Sequence, residues 1–204
     1  MEKQTTRLEA LSDGIFGVAI TLLAIEIGIK EYDGANNINL WEKILERWPE
    51  YFSYFNSFAT VLLVWMGHNK IFKQLRSANQ GIILLNGLVL MVVVLFPYPT
   101  KTVGTFIGTN AENTAVAFYA AFTGSITVSM LLLNLYILRN ERLLITPEKS
   151  IPWIRRMIKG QIVGIVSYGI ITVLAFYYSR VAIVLTFCMW VFWAIATKDE
   201  VEDL

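Results

Sequence analysis

Charge is scarce in this sequence. Asp, Glu, Lys and Arg make up 16% of its 204 residues, against about 25% in soluble globular domains. The charges nearly cancel, at a net +1. This leaves no basic footprint for a nucleic-acid partner, and none is expected. Histidine occurs once, as His68, and cysteine once, as Cys188 inside an apolar run. A lone cysteine makes no internal disulfide and no thiolate metal site. A lone histidine leaves no His-rich metal spacing and no convincing nucleophile–base–carboxylate set. No Gly-rich phosphate loop follows a strand pattern. No enzyme activity, catalytic residue, cofactor or resident metal is therefore expected. Internal repeats, low-complexity tracts and long polar loops are also missing. The first apolar run, from Leu8, has no small-residue cleavage site after it, so it is expected to stay in the protein.

Apolar and aromatic residues, at 55%, fill the space that charge leaves. A helix that crosses a bilayer needs about 20 mostly apolar residues. Six stretches qualify, and they predict an all-α integral membrane protein with one six-helix transmembrane domain over 1–204. The expected spans are 8–29, 51–72, 81–103, 115–138, 157–178 and 181–197. Residues 40–50 form an amphipathic lead-in to the second span. Only Ser179-Arg180 separates the last two, so a tight helical hairpin is expected. A merged helix of more than 40 residues would overrun the bilayer.

Basic residues set the expected orientation. One side holds Lys3, Arg7, Lys70, Lys73, Arg76, Arg139, Arg142, Lys149, Arg155, Arg156, Lys159 and Lys198, twelve of the 17 Lys and Arg. The other holds Lys30, Lys43, Arg47, Lys101 and Arg180. This bias predicts a multi-pass protein of the cell (plasma or inner) membrane, embedded in the lipid bilayer, with cytoplasmic N- and C-termini. An even number of spans agrees with it.

Polar side chains inside apolar helices are costly in lipid and mark pairing or function. The first span has the most, in Arg7-Leu8-Glu9-Ala10-Leu11-Ser12-Asp13-Gly14. At 100° per residue, Val18, Leu22 and Ile25 form an apolar stripe bordered by Gly14 and Thr21. Ser12 and Asp13 fall on the other side, which is expected to meet another helix. In the second span Trp65, His68 and Phe72 share one face at a similar depth. An indole N–H, an imidazole and a carboxylate can satisfy one another there, and Asn86 of the third span can join. Such a network is either structural glue between helices or a route for protons or ions.

These residues resemble the TMEM175 family of potassium channels, in particular its prokaryotic branch. The family's first helix opens on an Arg-x-x-x-Phe-Ser-Asp-Gly-like motif, here Arg7 to Gly14 with Leu11 in the Phe place. Its second helix carries Trp-x-x-His-x-x-x-Phe, matched by Trp65, His68 and Phe72. Asn86 and Phe96-Pro97-Tyr98-Pro99-Thr100 resemble its third helix. The motifs cover about the first 100 residues; the rest agrees in hydropathy alone. The resemblance implies a homotetramer, a pore on the four-fold axis lined by helix 1, and K+ as the permeating ion. It implies no Thr-Val-Gly-Tyr-Gly filter, and this sequence has none. It places the constriction on Val18, Leu22 and Ile25, and an influence on ion selection at Thr21. Arg7, Ser12, Asp13, Trp65, His68 and Asn86 form the structural polar network.

Rings of branched side chains can close a pore by dewetting. Glu26, Glu31 and Asp33 can supply an attractive field at the outer mouth, or be ordinary solvated carboxylates. The leading expectation is a potassium-preferring cation channel. A proton-coupled secondary transporter acting through Asp13 and His68 is the alternative, although the repeats and broken helices of such proteins are not evident. An accessory or structural membrane subunit is the third reading. His68 as a pH sensor and Gly160-x-x-x-Gly164 as a close helix contact carry less weight.

Overall fold

The computed structural model describes residues 2–25, 27 and 37–197, and its regular elements are helices. They are α1 (Glu2–Ile25), α2 (Asn37–Glu46), α3 (Trp48–Phe72), α4 (Gln80–Val94), α5 (Pro97–Phe106), α6 (Glu112–Arg139), α7 (Pro147–Ala175) and α8 (Ser179–Ala196). A turn of 3-10 helix, Glu141–Leu143, links α6 to α7. Glu26, Glu31, Asp33 and Lys198 lie outside the described residues.

Among the described residues, five segments are long and apolar enough to cross a bilayer: Thr5–Ile25, Gln80–Phe106, α6, α7 and α8. The second of these is α4 and α5 in series. α3 has the length, at roughly 37 Å for 1.5 Å per residue, but it carries Glu50, Asn56, His68, Asn69 and Lys70.

Local chemistry sets the helix ends. The amphipathic lead-in is a helix of its own, α2, and α3 restarts after Arg47 with Pro49 in its first turn, where a missing N–H costs nothing. Asn79 caps α4 by accepting from the Ile82 N–H at 3.1 Å. Pro97 has no N–H for the Val93 carbonyl. The chain tightens there, with Phe96 N–H donating to Val93 O and Tyr98 N–H to Leu95 O, both at 3.1 Å. This is why the third apolar stretch is two helices.

The turn between α7 and α8 falls at Phe176-Tyr177-Tyr178, slightly before the expected Ser179-Arg180. Glu112 holds it: one carboxylate oxygen accepts from Ser179 Oγ at 2.7 Å, the other from the Gly108 N–H at 2.7 Å. Along this hairpin a Cβ on Gly164 would lie 2.6 Å from the Trp193 ring, so only glycine lets α8 approach so closely. α7 begins at Pro147, about ten residues before the expected span. Arg155, Arg156 and Lys159 are therefore exposed on its first turns rather than in a loop.

α6 is the central post, buried along Ala115, Tyr119, Ile126, Met130, Leu133 and Ile137. It packs against α4, α5, α7 and α8, while α1 lies against α3 and α4. The α3–α4 and α6–α7 connections share one end of the molecule. Arg76 N–H donates to Leu143 O and Ile145 N–H to Gln74 O, both at 2.9 Å. Lys70 Nζ reaches Thr197 O at the end of α8. Most of the expected basic cluster thus gathers at a single end.

Candidate functional site

α1 presents two different sides. Leu8, Ser12, Phe16, Ala19 and Leu23 recur at three- and four-residue spacing and are buried against α3 and α4. The opposite side is open. Leu11 is 54% exposed, Val18 53% and Ile25 68%. Arg7, Ala10, Gly14, Gly17, Thr21 and Ala24 are exposed with them. A Cβ on Gly14 or Gly17 would meet nothing within 4 Å. Of the expected stripe, Val18 and Ile25 stand fully open, while Leu22 is half-buried at the boundary with the core. The open face centres nearer Gly14 and Thr21. Thr21 Oγ1 donates to the Val18 carbonyl at 2.8 Å, so its hydroxyl proton is committed and its oxygen lone pairs face outward.

A buried chain of hydrogen bonds holds the other side. His68 Nε2 lies 2.7 Å from Asn86 Oδ1. Asn86 Nδ2 donates to Ser12 Oγ at 3.0 Å, and Ser12 Oγ donates to Leu8 O at 2.8 Å. Donors and acceptors alternate consistently when His68 carries a proton on Nε2. Ser12 and Asn86 are 0% exposed and His68 2%. The imidazole stacks on Phe72 at 4.4 Å between ring centroids and tilts against Phe16 at 5.3 Å. Three helices, α1, α3 and α4, are thereby pinned at one depth.

Asp13 takes a separate position. It is exposed and accepts from Trp65 Nε1 at 2.8 Å. The imidazole bonds to Asn86, and the carboxylate pairs with the indole. The six network residues therefore divide into a buried Ser12–Asn86–His68 chain and an outer Asp13–Trp65 pair, with Arg7 exposed on the same helix.

Sequence reasoning missed two features. Phe16 covers the imidazole, and it reads in the sequence as one more apolar residue. A second buried polar cluster joins α3, α5 and α6, where Thr100 Oγ1 lies 2.7 Å from Ser57 Oγ and Ser57 Oγ lies 3.3 Å from Tyr119 Oη. Thr100 belongs to the Pro-rich segment, but single Ser and Thr residues in apolar helices give little signal. Among the described residues no group of three His, Cys, Asp or Glu is placed to hold a metal ion.

An all-α membrane protein in which one polar-pinned helix keeps a whole face open is the class that these features define. Comparison with known proteins narrows it. Residues 7–97 match a family described as the endosomal/lysosomal potassium channel TMEM175. A potassium channel from Chamaesiphon minutus is 32% identical over 127 residues, 62% of this chain and 63% of that protein. A potassium channel from Streptomyces collinus is 35% identical over 118 residues, 57% of this chain and 56% of that one. The matched segment thus spans less than two thirds of either relative. A crystal structure of a lysosomal potassium-selective channel TMEM175 homologue from Chamaesiphon minutus superposes with a TM-score of 0.85 at 25% identity, covering 97% of this chain and 100% of that one. The chain thus shares the fold of a TMEM175 homologue over nearly its whole length, and just under half of it matches the TMEM175 family model.

Proposed function

We propose that the chain is one subunit of a potassium-preferring cation channel. Four copies surround a four-fold axis, and the open face of α1 lines the path. Val18, Leu22 and Ile25 form a hydrophobic constriction, and Thr21 influences which ion passes. Each subunit crosses the membrane six times, with α3 as the sixth span, shielded in lipid by its neighbours, and with both termini in the cytoplasm. No Thr-Val-Gly-Tyr-Gly filter takes part, so selection rests on pore width and hydroxyl oxygens. The polar network holds α1 in place and carries no ion.

The open face of α1 carries this reading. A lipid-facing helix gains from large apolar side chains along its exposed side. α1 instead exposes Arg7, Ala10, Gly14, Gly17 and Thr21 between Leu11, Val18 and Ile25. Small residues allow close approach of helices, and a branched side chain on each turn can close a narrow path by dewetting. The bacterial relatives are named potassium channels, which favours K+ as the permeant ion.

A planar-bilayer recording under a potassium/sodium gradient tests the proposal. Val18→Asn puts four amides into the ring at once. It is expected to raise single-channel current and weaken potassium preference, while Val166→Asn, on an exposed position of α7, leaves both unchanged. Equal effects at the two positions, or coupled electroneutral flux without channel currents, would overturn it.

A further inference from the structure

A cavity of about 50 Å³ lies inside the subunit, between α3, α6, α7 and α8, away from the open face of α1. Its walls are mainly apolar, with Ile126, Met130 and Met157 among them. Gln161 projects into it from α7; the residue is 1% exposed, and among the described residues its Oε1 has no hydrogen-bond partner. A buried amide oxygen without a donor is costly, and in a native structure it calls for a reason.

Three threonine hydroxyls on the wall sharpen the requirement. Thr60, Thr123 and Thr197 each donate their hydroxyl proton to a carbonyl of their own helix, at 2.8, 2.8 and 2.6 Å. Thr60 Oγ1 also accepts from Trp190 Nε1 at 3.3 Å. These hydroxyls can accept a further hydrogen bond but have none to give. A ligand that satisfies Gln161 Oε1 must therefore donate. It must also be neutral, because none of the lining residues carries a formal charge and a bare cation in an apolar wall is prohibitively desolvated. Size sets the last limit. At about 10–15 Å³ per water-sized group, the cavity holds about four such groups. The lining residues Leu63 and Val64 of α3 and Trp190 and Trp193 of α8 are half-buried.

We infer that this cavity is a binding site for a small neutral amphiphile of the short-chain alcohol class, whose hydroxyl donates to Gln161 Oε1 while its alkyl part packs on Met130 and Met157. The inference is independent of the conduction path.

Ligand-observed fluorine NMR on the full chain in detergent micelles, with 2-fluoroethanol as the probe, tests it. Wild type is expected to show saturable transfer that excess ethanol displaces. Gln161→Leu keeps the volume and removes the acceptor, and is expected to weaken binding about threefold to tenfold, the range for one neutral hydrogen bond. Gly67→Ala provides a second, steric arm. Its Cβ would lie 3.8 Å from Thr197 Cγ2 and 3.9 Å from Met130 Cε, so it fits without strain and takes up cavity space. It too is expected to weaken binding, whereas Gly169→Ala, which meets nothing within 4 Å, binds as wild type. Transfer that rises without saturating, or wild-type affinity in either Gln161→Leu or Gly67→Ala, overturns the inference.

Discussion

Asn86→Leu isolates the polar part of the α1 anchor. The residue is 0% exposed, and its amide bridges His68 Nε2 at 2.7 Å and Ser12 Oγ at 3.0 Å. Leucine has similar volume, so the change opens little cavity. Two hydrogen bonds are lost. In membrane proteins each contributes about 0.6 kcal/mol on average and up to ~1.7. The larger effect is on what remains. The imidazole N–H stays buried between Phe16 and Phe72 with no acceptor, at a cost of about 1–3 kcal/mol. Ser12 is hurt less, because it still donates to Leu8 O. The expected loss is about 2 kcal/mol, roughly a 30-fold shift of the folding equilibrium. The assay is unfolding of the purified protein in mixed micelles by increasing SDS, at fixed protein concentration because assembly contributes to stability. The double variant His68→Leu/Asn86→Leu removes both partners. It is expected to be clearly less destabilised than the sum of the single changes. A single variant within about 0.5 kcal/mol of wild type, or strictly additive behaviour, would refute the account of α1 as anchored by this chain.

The other expectations follow from the same geometry. Trp65→Phe removes the donor to Asp13, but the carboxylate is exposed and can turn to water, so the loss should stay below about 1 kcal/mol in the same titration; a loss above that of Asn86→Leu would show that the outer pair is the main anchor. Gly164→Ala drives a Cβ against the Trp193 ring and is expected to cost about 1–3 kcal/mol by overpacking, whereas Gly169→Ala, in open space, should be neutral; equal effects would contradict the packing of the α7–α8 hairpin. Thr21→Val keeps the volume and removes the hydroxyl, so reversal potentials should show reduced potassium preference with conduction retained; an unchanged ratio would remove Thr21 from selection. A cysteine at Lys149, introduced with Cys188→Ser, should react with an impermeant maleimide from the cytoplasmic side alone, and extracellular labelling would invert the orientation.

The sequence shows some of this architecture better than the rest. Helix existence is legible because apolar runs of bilayer length have few alternative structures. Helix ends are less so. α7 starts at Pro147 because Pro147 and Glu148 suit a first turn, whereas the apolar pattern becomes continuous only near Met157. The α4–α5 break is foreshadowed by Pro97 and Pro99, yet its position depends on which carbonyl loses its donor. On α1, helical phase places Val18, Leu22 and Ile25 together, but the wheel has no fixed centre. The buried side is set by Phe16, Ala19 and Leu23 meeting α3 and α4, which turns Leu22 toward the core and leaves Thr21 in the open. Ser12 and Asp13 look equivalent as adjacent polar residues. A step of 100° sends one into the core, toward Asn86, and leaves the other at the rim, beside Trp65. Only the positions of neighbouring helices decide which.

The two-sidedness of α1 has a mechanical consequence. A dewetting constriction responds steeply to small changes in radius, so a helix in the role proposed for α1 must be held firmly in both rotation and depth. Apolar packing alone does this poorly within a bilayer, because lipid competes for the same contacts at little difference in energy. Directional hydrogen bonds do it better. The Ser12–Asn86–His68 chain fixes α1 in rotation against α3 and α4, one to two turns from Val18, while the exposed Gly14 and Gly17 leave the opposite side free of bulk. If α1 lines the path as proposed, substitutions at Ser12 or Asn86 should alter the closed-state leak as well as stability, since a small rotation of α1 would carry Val18 and Ile25 off the proposed axis and bring Leu22 or Thr21 toward it. Single-channel recordings of Ser12→Ala, which is milder than Asn86→Leu because it removes one acceptor and little volume, provide the test. More frequent openings at unchanged unitary current would fit a loosened anchor, and a changed unitary current would mean that Ser12 shapes the conducting path itself.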